Sequence, residues 1–153
     1  MIGFKFNYNK MFFDRKAVLS RVDMATRKVL SRFGAFVRRT ARQSIRKRKK
    51  SSKPGQPPSS HTGLLKQFIF FGYEPSKGSV VIGPERLGGR GEAPPALEYG
   101  GPSHVVDYIY PKERGARREK VHRKVMIRAR PFMGPAFEKE KPQLPKLWRD
   151  SVK

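Results

Sequence analysis

The chain has 153 residues, no cysteine, and 35 Lys and Arg against 12 Asp and Glu, for a formal net charge of +23. That length suits a single domain, and the absence of thiols excludes disulfides, thiolate metal sites and cysteine nucleophiles. Residues 1–62 hold 17 of the basic and 2 of the acidic residues, so most of the positive charge lies there. Proteins that neutralise phosphates have such charge, although a solvated basic surface gives the same composition.

The N-terminal sequence shows no sign of export or membrane insertion. Residues 1–16, MIGFKFNYNKMFFDRK, lack the apolar core of a signal peptide. No run approaches the roughly 18 apolar residues that a transmembrane helix needs. We therefore expect a soluble protein that is made in a cytoplasm and has no membrane partner.

The first predicted element is a helix of about 30 residues. Asp14 is a suitable N-cap, and the helix is expected to run from Arg15 to about Ile45. Spacings of three and four mark one buried stripe along it, formed by Val18, Val22, Ala25, Val29, Phe33, Phe36 and Thr40. Basic side chains cover the remaining surface, and Gly34 is expected to weaken the helix locally.

Residues 46–62 form a basic segment rich in proline and serine. Pro54, Pro57 and Pro58 forbid a helix, so the sequence predicts a long loop or arm that is disordered in the isolated chain. The candidate residues for contact with nucleic acid or a neighbouring subunit are Arg42, Arg46, Lys47, Arg48, Lys49, Lys50 and Lys53. A nuclear-targeting signal is the weaker interpretation, because basic runs are common in proteins that contact nucleic acid.

Residues 63–130 are predicted to form a small, mainly antiparallel sheet of about four to five strands with loops. The predicted strands are Leu64–Gly72, Ser79–Ile82, Val105–Tyr110 and Val121–Ala129. A turn at 75–78 would join the first two as a hairpin. The last strand alternates most cleanly, which indicates one buried face carrying Val121, Val125 and Ile127.

The C-terminal segment, residues 131–153, is predicted to be helical. Pro135 suits a first helical turn, whereas Pro142 and Pro145 interrupt the helix before a last short amphipathic piece. One long helix, then strands, then a C-terminal helix predict an α+β fold in a single domain spanning residues 1–153.

The sequence contains no constellation that indicates catalysis or metal binding. His61, His104 and His122 have neither metal-ligand spacing nor a paired acid at a diagnostic offset. The glycine-rich segment 83–95 lacks the Gly-Lys-Ser/Thr ending of a phosphate-binding loop. We therefore expect no enzymatic activity and no cofactor, and a small nuclease or protease is the weakest interpretation.

Three short motifs follow the basic helix in order. They read PGQPP at 54–58 with HTGLL at 61–65, ALEYGG at 96–101 and RPFMGPA at 130–136. In this order they resemble the neck and tail-completion proteins of tailed double-stranded DNA bacteriophages, over about residues 14–140. Each motif alone is weak, whereas the ordered set is fairly specific.

The resemblance implies a non-enzymatic, α+β virion protein that is made in the cytoplasm of a bacterial host. It implies a homo-oligomeric ring at the head–tail junction, expected to be sixfold, which surrounds the DNA channel and contacts connector, adaptor, tail-terminator or tail-tube proteins. The residues that it implicates in subunit contacts or in the structural motifs are Pro57, Thr62, Gly63, Leu64, Glu98, Tyr99, Gly100, Arg130, Pro131, Phe132 and Pro135. Glu98 is expected to pair with a basic residue, either of the same chain or of the adjacent subunit.

A second interpretation stays open, in which the chain is a sequence-independent nucleic-acid-binding protein such as a ribosomal-type protein or a packaging factor. Its charge and length suit that class equally well. The two interpretations differ in assembly, since the first requires a ring or a viral particle and the second is compatible with a monomer.

Overall fold

The computed structural model describes residues 14–85, 93–109, 119–149 and 151, with the backbone alone described at 105–109 and 119. The elements in chain order are α1 (Arg15–Ser44), β1 (Arg46–Lys47), β2 (Ser59–Ser60), α2 (Leu64–Gln67), β3 (Ile69–Glu74), β4 (Ser79–Pro84), α3 (Ala93–Tyr99), β5 (Gly101–Ile109), β6 (Glu119–Ile127), α4 (Met133–Glu140), a 3-10 turn (Lys141–Gln143) and α5 (Leu144–Arg149). The fold is α+β, with a long N-terminal helix, small antiparallel sheets and a C-terminal helix, as the sequence predicts.

The strands pair two by two. β1–β2 is parallel, whereas β3–β4 and β5–β6 are antiparallel, and no further strand joins these pairs within the described residues. One sheet of four to five strands is therefore not seen in the described chain. The sequence identifies strands but not their neighbours, because the alternation along a strand carries no information on which edges pair.

Helix α1 begins as predicted, since the Asp14 side chain accepts a 3.1 Å hydrogen bond from the backbone N–H of Ala17. The buried stripe differs from the expected one. It runs at every fourth residue along the C-terminal part of the helix, through Val29, Phe33, Val37 and Ala41, and then through Ile45. Because steps of four drift around a helix with 3.6 residues per turn, Val37 and Ala41 take the places predicted for Phe36 and Thr40, which are half-buried.

The N-terminal part of α1 is not covered by the rest of the described chain. Val18 and Val22, expected in the buried stripe, keep 43% and 49% of their surface exposed. Every residue from 15 to 24 is exposed. The amphipathic pattern correctly predicts the helix, but the described residues fully bury its side chains only from Val29 onwards.

The β3–β4 hairpin crosses α1 at Gly34, and its turn lies at residues 75–78 as predicted. A Cβ atom at Gly34 would lie 2.8 Å from Cγ2 of Val80 and 2.9 Å from Cδ2 of Phe71. The helix continues through Gly34 without interruption. This glycine therefore permits close packing of the hairpin against the helix.

The first predicted strand begins later than expected. Residues 64–67 form the single helical turn α2, closed by hydrogen bonds from the Gln67 N–H to the Gly63 carbonyl and from the Phe68 N–H to the Leu64 carbonyl, both 3.0 Å long. Leu65 enters the core, whereas Leu64 stays exposed. A short apolar run does not distinguish a helical turn from a strand, which explains this difference.

The β5–β6 ribbon pairs from Gly101 with Ile127 to Ile109 with Glu119. It begins earlier than the predicted strand 105–110, whose last residue lies outside the described part of the chain. The face predicted to be buried is not: Val121 is 37% exposed, and Val125 and Ile127 are half-buried. No second layer of the described chain covers this ribbon.

The core lies where α1, α2, β3 and α4 meet, and its buried residues are Phe33, Val37, Ala41, Ile45, Leu65, Ile69, Phe132 and Ala136. Glu140 is buried beside it and is held by the Thr40 hydroxyl, which donates to Oε1 at 2.5 Å, and by the Gln143 amide, which donates to Oε2 at 2.6 Å. Pro142 lies in the 3-10 turn between α4 and α5, and Pro145 lies in the first turn of α5. None of the described helices combines the length and apolarity needed to cross a bilayer.

Candidate functional site

The three sequence motifs meet in one place, which we call the motif junction and define by residues 52–57, 96–101 and 129–136. The backbone N–H of Gly55 donates a 2.9 Å hydrogen bond to the carbonyl of Ala129. The N–H of Arg130 donates to the carbonyl of Leu97 at 2.6 Å. The second motif thus binds the third directly, whereas the first motif binds Ala129, the residue immediately before the third.

Glu98 binds the first turn of α4 with both carboxylate oxygens. Its Oε2 accepts hydrogen bonds from the backbone N–H groups of Phe132 at 2.8 Å and Met133 at 3.0 Å, and its Oε1 accepts from Gly134 at 2.7 Å. The helix has no capping side chain of its own at Phe132. A carboxylate here satisfies amides that would lack partners and opposes the positive end of the helix dipole.

Within the described chain Glu98 has no basic partner, and its pairing with a basic residue of the adjacent subunit stays a prediction. Among the described residues its partners are backbone amides of its own chain. The sequence signal for this role is weak, because the capping residue lies more than 30 positions before the helix that it caps.

Gly100 allows the second motif to approach the third closely. Its φ angle is +77°, in the left-handed region that glycine adopts without strain. A Cβ atom there would lie 3.1 Å from the backbone nitrogen of Ala129 and 3.2 Å from the carbonyl oxygen of Ile127. The Gly100 N–H also donates to the Ala96 carbonyl and ends α3.

The third motif connects the junction to the core. The Arg130 Nε–H donates to the carbonyl of Ser52 at 3.1 Å, and Phe132 is buried with 1% of its surface exposed. Pro131 is half-buried immediately before α4, and Pro135 lies in its first turn as predicted. Ser52 contributes through its carbonyl group, for which the sequence offers no signal.

The residues Thr62, Gly63 and Pro57 of the first motif have local structural roles. The Thr62 hydroxyl accepts a 3.3 Å hydrogen bond from the Leu64 N–H, and Gly63, with φ +84°, donates its N–H to the Ser60 hydroxyl at 2.9 Å. Pro57 is half-buried and lines a shallow groove beside α4. Of the residues predicted to lie in subunit contacts or structural motifs, the exposed ones are Thr62, Leu64, Tyr99 and Pro135, and Tyr99 is 84% exposed.

The basic segment, predicted to be a long loop or arm, forms a loop in the structure. Arg46 pairs with Ser59 and Lys47 with Ser60 in a short parallel bridge, which joins the two ends of the segment. Its middle is held by the bonds of Ser52 to Arg130 and of Gly55 to Ala129. The segment is therefore a closed loop. Its basic side chains at 46–50 and Lys53 are exposed, whereas the preceding Arg42 is half-buried.

The positive surface is not neutralised within the described chain. Helix α1 contains nine basic residues and one acidic residue, Asp23. Ion pairs join Lys77 to Glu74 at 3.0 Å and Lys141 to Glu138 at 3.7 Å, and no described carboxylate pairs with a basic side chain of α1 or of residues 46–53. This surface can bind a polyanion or an acidic protein.

Apolar surface is also left uncovered. The described residues include ten buried hydrophobic residues and thirteen exposed large ones. The exposed set is Val18, Leu19, Val22, Met24, Leu64, Phe70, Phe71, Val81, Tyr99, Val121, Met126, Phe137 and Trp148. Large exposed apolar side chains are available for burial between subunits on assembly.

The arrangement offers no metal-binding cluster, since no three His, Asp or Glu side chains of the described residues are grouped to hold an ion. Comparison of the chain with protein-family models, with curated proteins and with solved structures finds no match.

Proposed function

We propose that the chain is a structural virion protein of a tailed double-stranded DNA phage. It forms a homo-oligomeric ring, with six subunits expected, at the head–tail junction and completes or joins the tail around the DNA channel. It is not an enzyme. It is made in the host cytoplasm and ends in the neck or tail of the virion, next to connector, adaptor, tail-terminator or tail-tube proteins.

The observation that carries this proposal is the convergence of the three motifs. The motifs of the phage resemblance are separated by at least 28 residues in sequence, yet the Leu97–Arg130 and Glu98–Gly134 hydrogen bonds join the second to the third. Gly55 of the first motif binds Ala129, the residue immediately before the third. Chance matches at unrelated positions have no reason to share one structural unit. The proximity of the motifs therefore supports the resemblance to the phage neck and tail-completion proteins.

The uncovered apolar surface supports assembly from identical subunits. Tyr99 lies in the motif junction and is 84% exposed, and Val81 and Met126 are exposed on the two antiparallel ribbons. In a closed ring each subunit presents two complementary patches and so buries apolar surface twice. A sheet of four to five strands, expected from the sequence, would then form by pairing of ribbon edges across subunits.

The unpaired positive charge supports a position around DNA. Phosphates attract such a surface independently of base sequence, which suits a channel through which any genome segment passes. A net charge of +23 also repels further copies of the same chain. DNA in the channel or acidic neighbours would relieve that repulsion.

The alternative function, a free sequence-independent nucleic-acid-binding protein, is favoured by the same unpaired charge on α1 and residues 46–53. It gives no role to the thirteen exposed hydrophobic residues. Light scattering on the purified chain separates the two functions: a ring supports the first, and a monomer with strongly salt-dependent binding supports the second.

The direct test of the proposal is to locate the chain in a particle. Electron microscopy of the purified protein should show closed rings, and a tagged copy should be found at the head–tail junction of intact virions. A stable monomer that never joins a particle would refute the proposal.

A further inference from the structure

One side of α1 carries a row of basic residues. Of these, Arg42 alone is among the residues that the sequence predicts to contact nucleic acid or a neighbouring subunit. The row consists of Arg21, Lys28, Arg32, Arg39 and Arg42, and we call it the basic ridge. The successive spacings of seven, four, seven and three residues place these side chains on one face of the helix. Over its length the row extends for about 31 Å, at 1.5 Å per residue.

The ridge faces away from the core. The buried stripe of Val29, Phe33 and Val37 lies roughly 80° to 160° around the helix from Arg21. Arg21, Lys28, Arg32 and Arg39 are exposed, and Arg42 is half-buried. Asp23, the acidic residue of α1, follows Arg21 by two positions, which places it about 200° further around the helix and off the ridge.

Two of the ridge arginines are held by an aromatic ring. The guanidinium carbons of Arg32 and Arg39 lie 5.8 Å and 5.1 Å from the ring centroid of Phe36, which is half-buried. Such cation–π contacts restrict the arginine side chains. The N–H groups of a guanidinium lie at its edge, so they stay free to bind phosphate oxygens while its centre contacts a ring.

We infer that the basic ridge binds the phosphate backbone of double-stranded DNA, with Phe36 as a positioning residue for Arg32 and Arg39. The inference rests on the proposed function for its choice of DNA as the polyanion. It goes beyond that function because it assigns contact with DNA to the basic ridge of α1 as well as to residues 46–53.

The dimensions and chemistry of the ridge favour duplex DNA. Its length of about 31 Å is close to one helical turn of B-DNA, 34–36 Å. No described carboxylate pairs with the ridge, so the row can face a uniformly charged backbone. Binding of single strands relies on accessible aromatic rings that stack on bases, whereas Phe36 is half-buried and occupied by two arginines.

The test compares two variants of the full chain with equal charge. In the ridge variant Arg21, Lys28, Arg32, Arg39 and Arg42 are replaced by Gln. In the control variant the same replacement is made at Arg27, Lys66, Lys124, Lys139 and Lys146, which lie on other faces. Circular dichroism establishes that both fold. Binding to a labelled duplex of about 20 base pairs, two helical turns, is then measured by anisotropy over a range of salt concentrations.

The ridge variant should bind about a hundredfold more weakly at physiological salt, and the slope of log K against log salt should fall by about 4 to 5, near 0.9 per lost phosphate contact. The control should keep most of the wild-type slope. Equal losses in the two variants would show that only the overall charge matters and would overturn the inference. Tighter binding to an RNA duplex of the same sequence would overturn the choice of DNA.

Phe36 is tested without any change of charge. Phe36→Leu should weaken duplex binding about three- to tenfold, the size expected for two exposed cation–π contacts, and should leave the salt slope unchanged. Phe36→Tyr keeps the aromatic face and should restore the wild-type affinity. Wild-type binding by the Leu variant, or failure of the Tyr variant to restore it, would exclude the positioning role.

Light scattering on the same samples distinguishes failure of the ridge from failure of the proposed function. Wild-type rings that bind no duplex DNA would refute the ridge and leave the ring intact. A wild-type monomer whose duplex binding depends on the ridge would support the ridge and refute the ring.

Discussion

The Oε1 atom of Glu98 accepts a 2.7 Å hydrogen bond from the backbone N–H of Gly134, at the start of the C-terminal helix. The other carboxylate oxygen accepts from the two preceding N–H groups. One side chain at the end of α3 therefore satisfies three amides of α4 and fixes the angle between the second and third motifs. This bond network explains why a Glu is needed at that position of the second motif.

Glu98→Gln should lower the free energy of unfolding by about 1 to 2 kcal/mol, because the amide keeps the shape but loses the charge and one acceptor. Urea denaturation measures the change. Glu138→Gln is the matched control, since Glu138 forms an exposed ion pair with Lys141 and should change stability by less than about 0.5 kcal/mol. Equal effects of the two substitutions would show that the helix cap contributes nothing.

Gly34→Ala tests the crossing of α1 and the hairpin. Alanine favours a helix by about 1 kcal/mol over glycine, but its Cβ would lie 2.8 Å from Val80 and 2.9 Å from the Phe71 ring. Overpacking of this kind costs about 1 to 3 kcal/mol, so we expect a net loss near 1 kcal/mol in thermal or chemical unfolding. Adding Val80→Ala should cost less in the Gly34→Ala background than in the wild type, and a stabilised Gly34→Ala variant would contradict the close contact.

Phe132→Ala should lower the free energy of unfolding by about 3 to 5 kcal/mol, because the ring is fully buried in the core and its loss leaves a cavity. Tyr99→Ala is a useful comparison, since that ring is 84% exposed in the described chain and should cost less than about 0.5 kcal/mol in the monomer. An unchanged melting temperature for Phe132→Ala would mean that the Phe132 ring is not buried in the core.

The sequence predicts the elements of this fold better than their contacts. The spacing of apolar residues along α1 and their alternation along β6 are local signals. The sequence therefore predicts both elements near their observed bounds. The exposed N-terminal half of α1 and the half-buried Ile127 depend instead on what packs against them. The closed loop at 46–60 depends on backbone groups of Ser52 and Ala129, and every residue has such groups.

Within the candidate site, the conformation of Gly100 has a local sequence signal, whereas the contacts of Glu98 depend on the fold. A Gly-Gly pair indicates a backbone with positive φ, and both glycines adopt it. The sequence does not indicate the amide partners of Glu98, because a carboxylate binds both guanidinium groups and helix amides. The start of α4 lies beside the Glu98 side chain only in the folded chain.

Tyr99→Ser tests whether the exposed apolar surface mediates assembly. Burial of this aromatic ring between subunits should contribute about 2 kcal/mol at each interface, so its loss should weaken pairwise association roughly thirtyfold. Sedimentation or light scattering should show smaller species at the same concentration, with monomer stability unchanged. Gln67→Ser, another exposed change, serves as the control, and rings of wild-type stability from the Tyr99 variant would place the interface elsewhere.

Replacing Arg46, Lys47, Arg48, Lys49 and Lys50 by Gln tests the role of the basic loop. The fold should persist within about 0.5 kcal/mol, because these side chains are exposed and the loop is held by backbone hydrogen bonds. Ring assembly or retention of DNA in particles should be impaired, since the loop then loses its phosphate or subunit contacts. Five Gln replacements on other faces, at Arg27, Lys66, Lys124, Lys139 and Lys146, control for the lower net charge. Fully infectious particles from the loop variant would show that its positive charge serves neither assembly nor DNA.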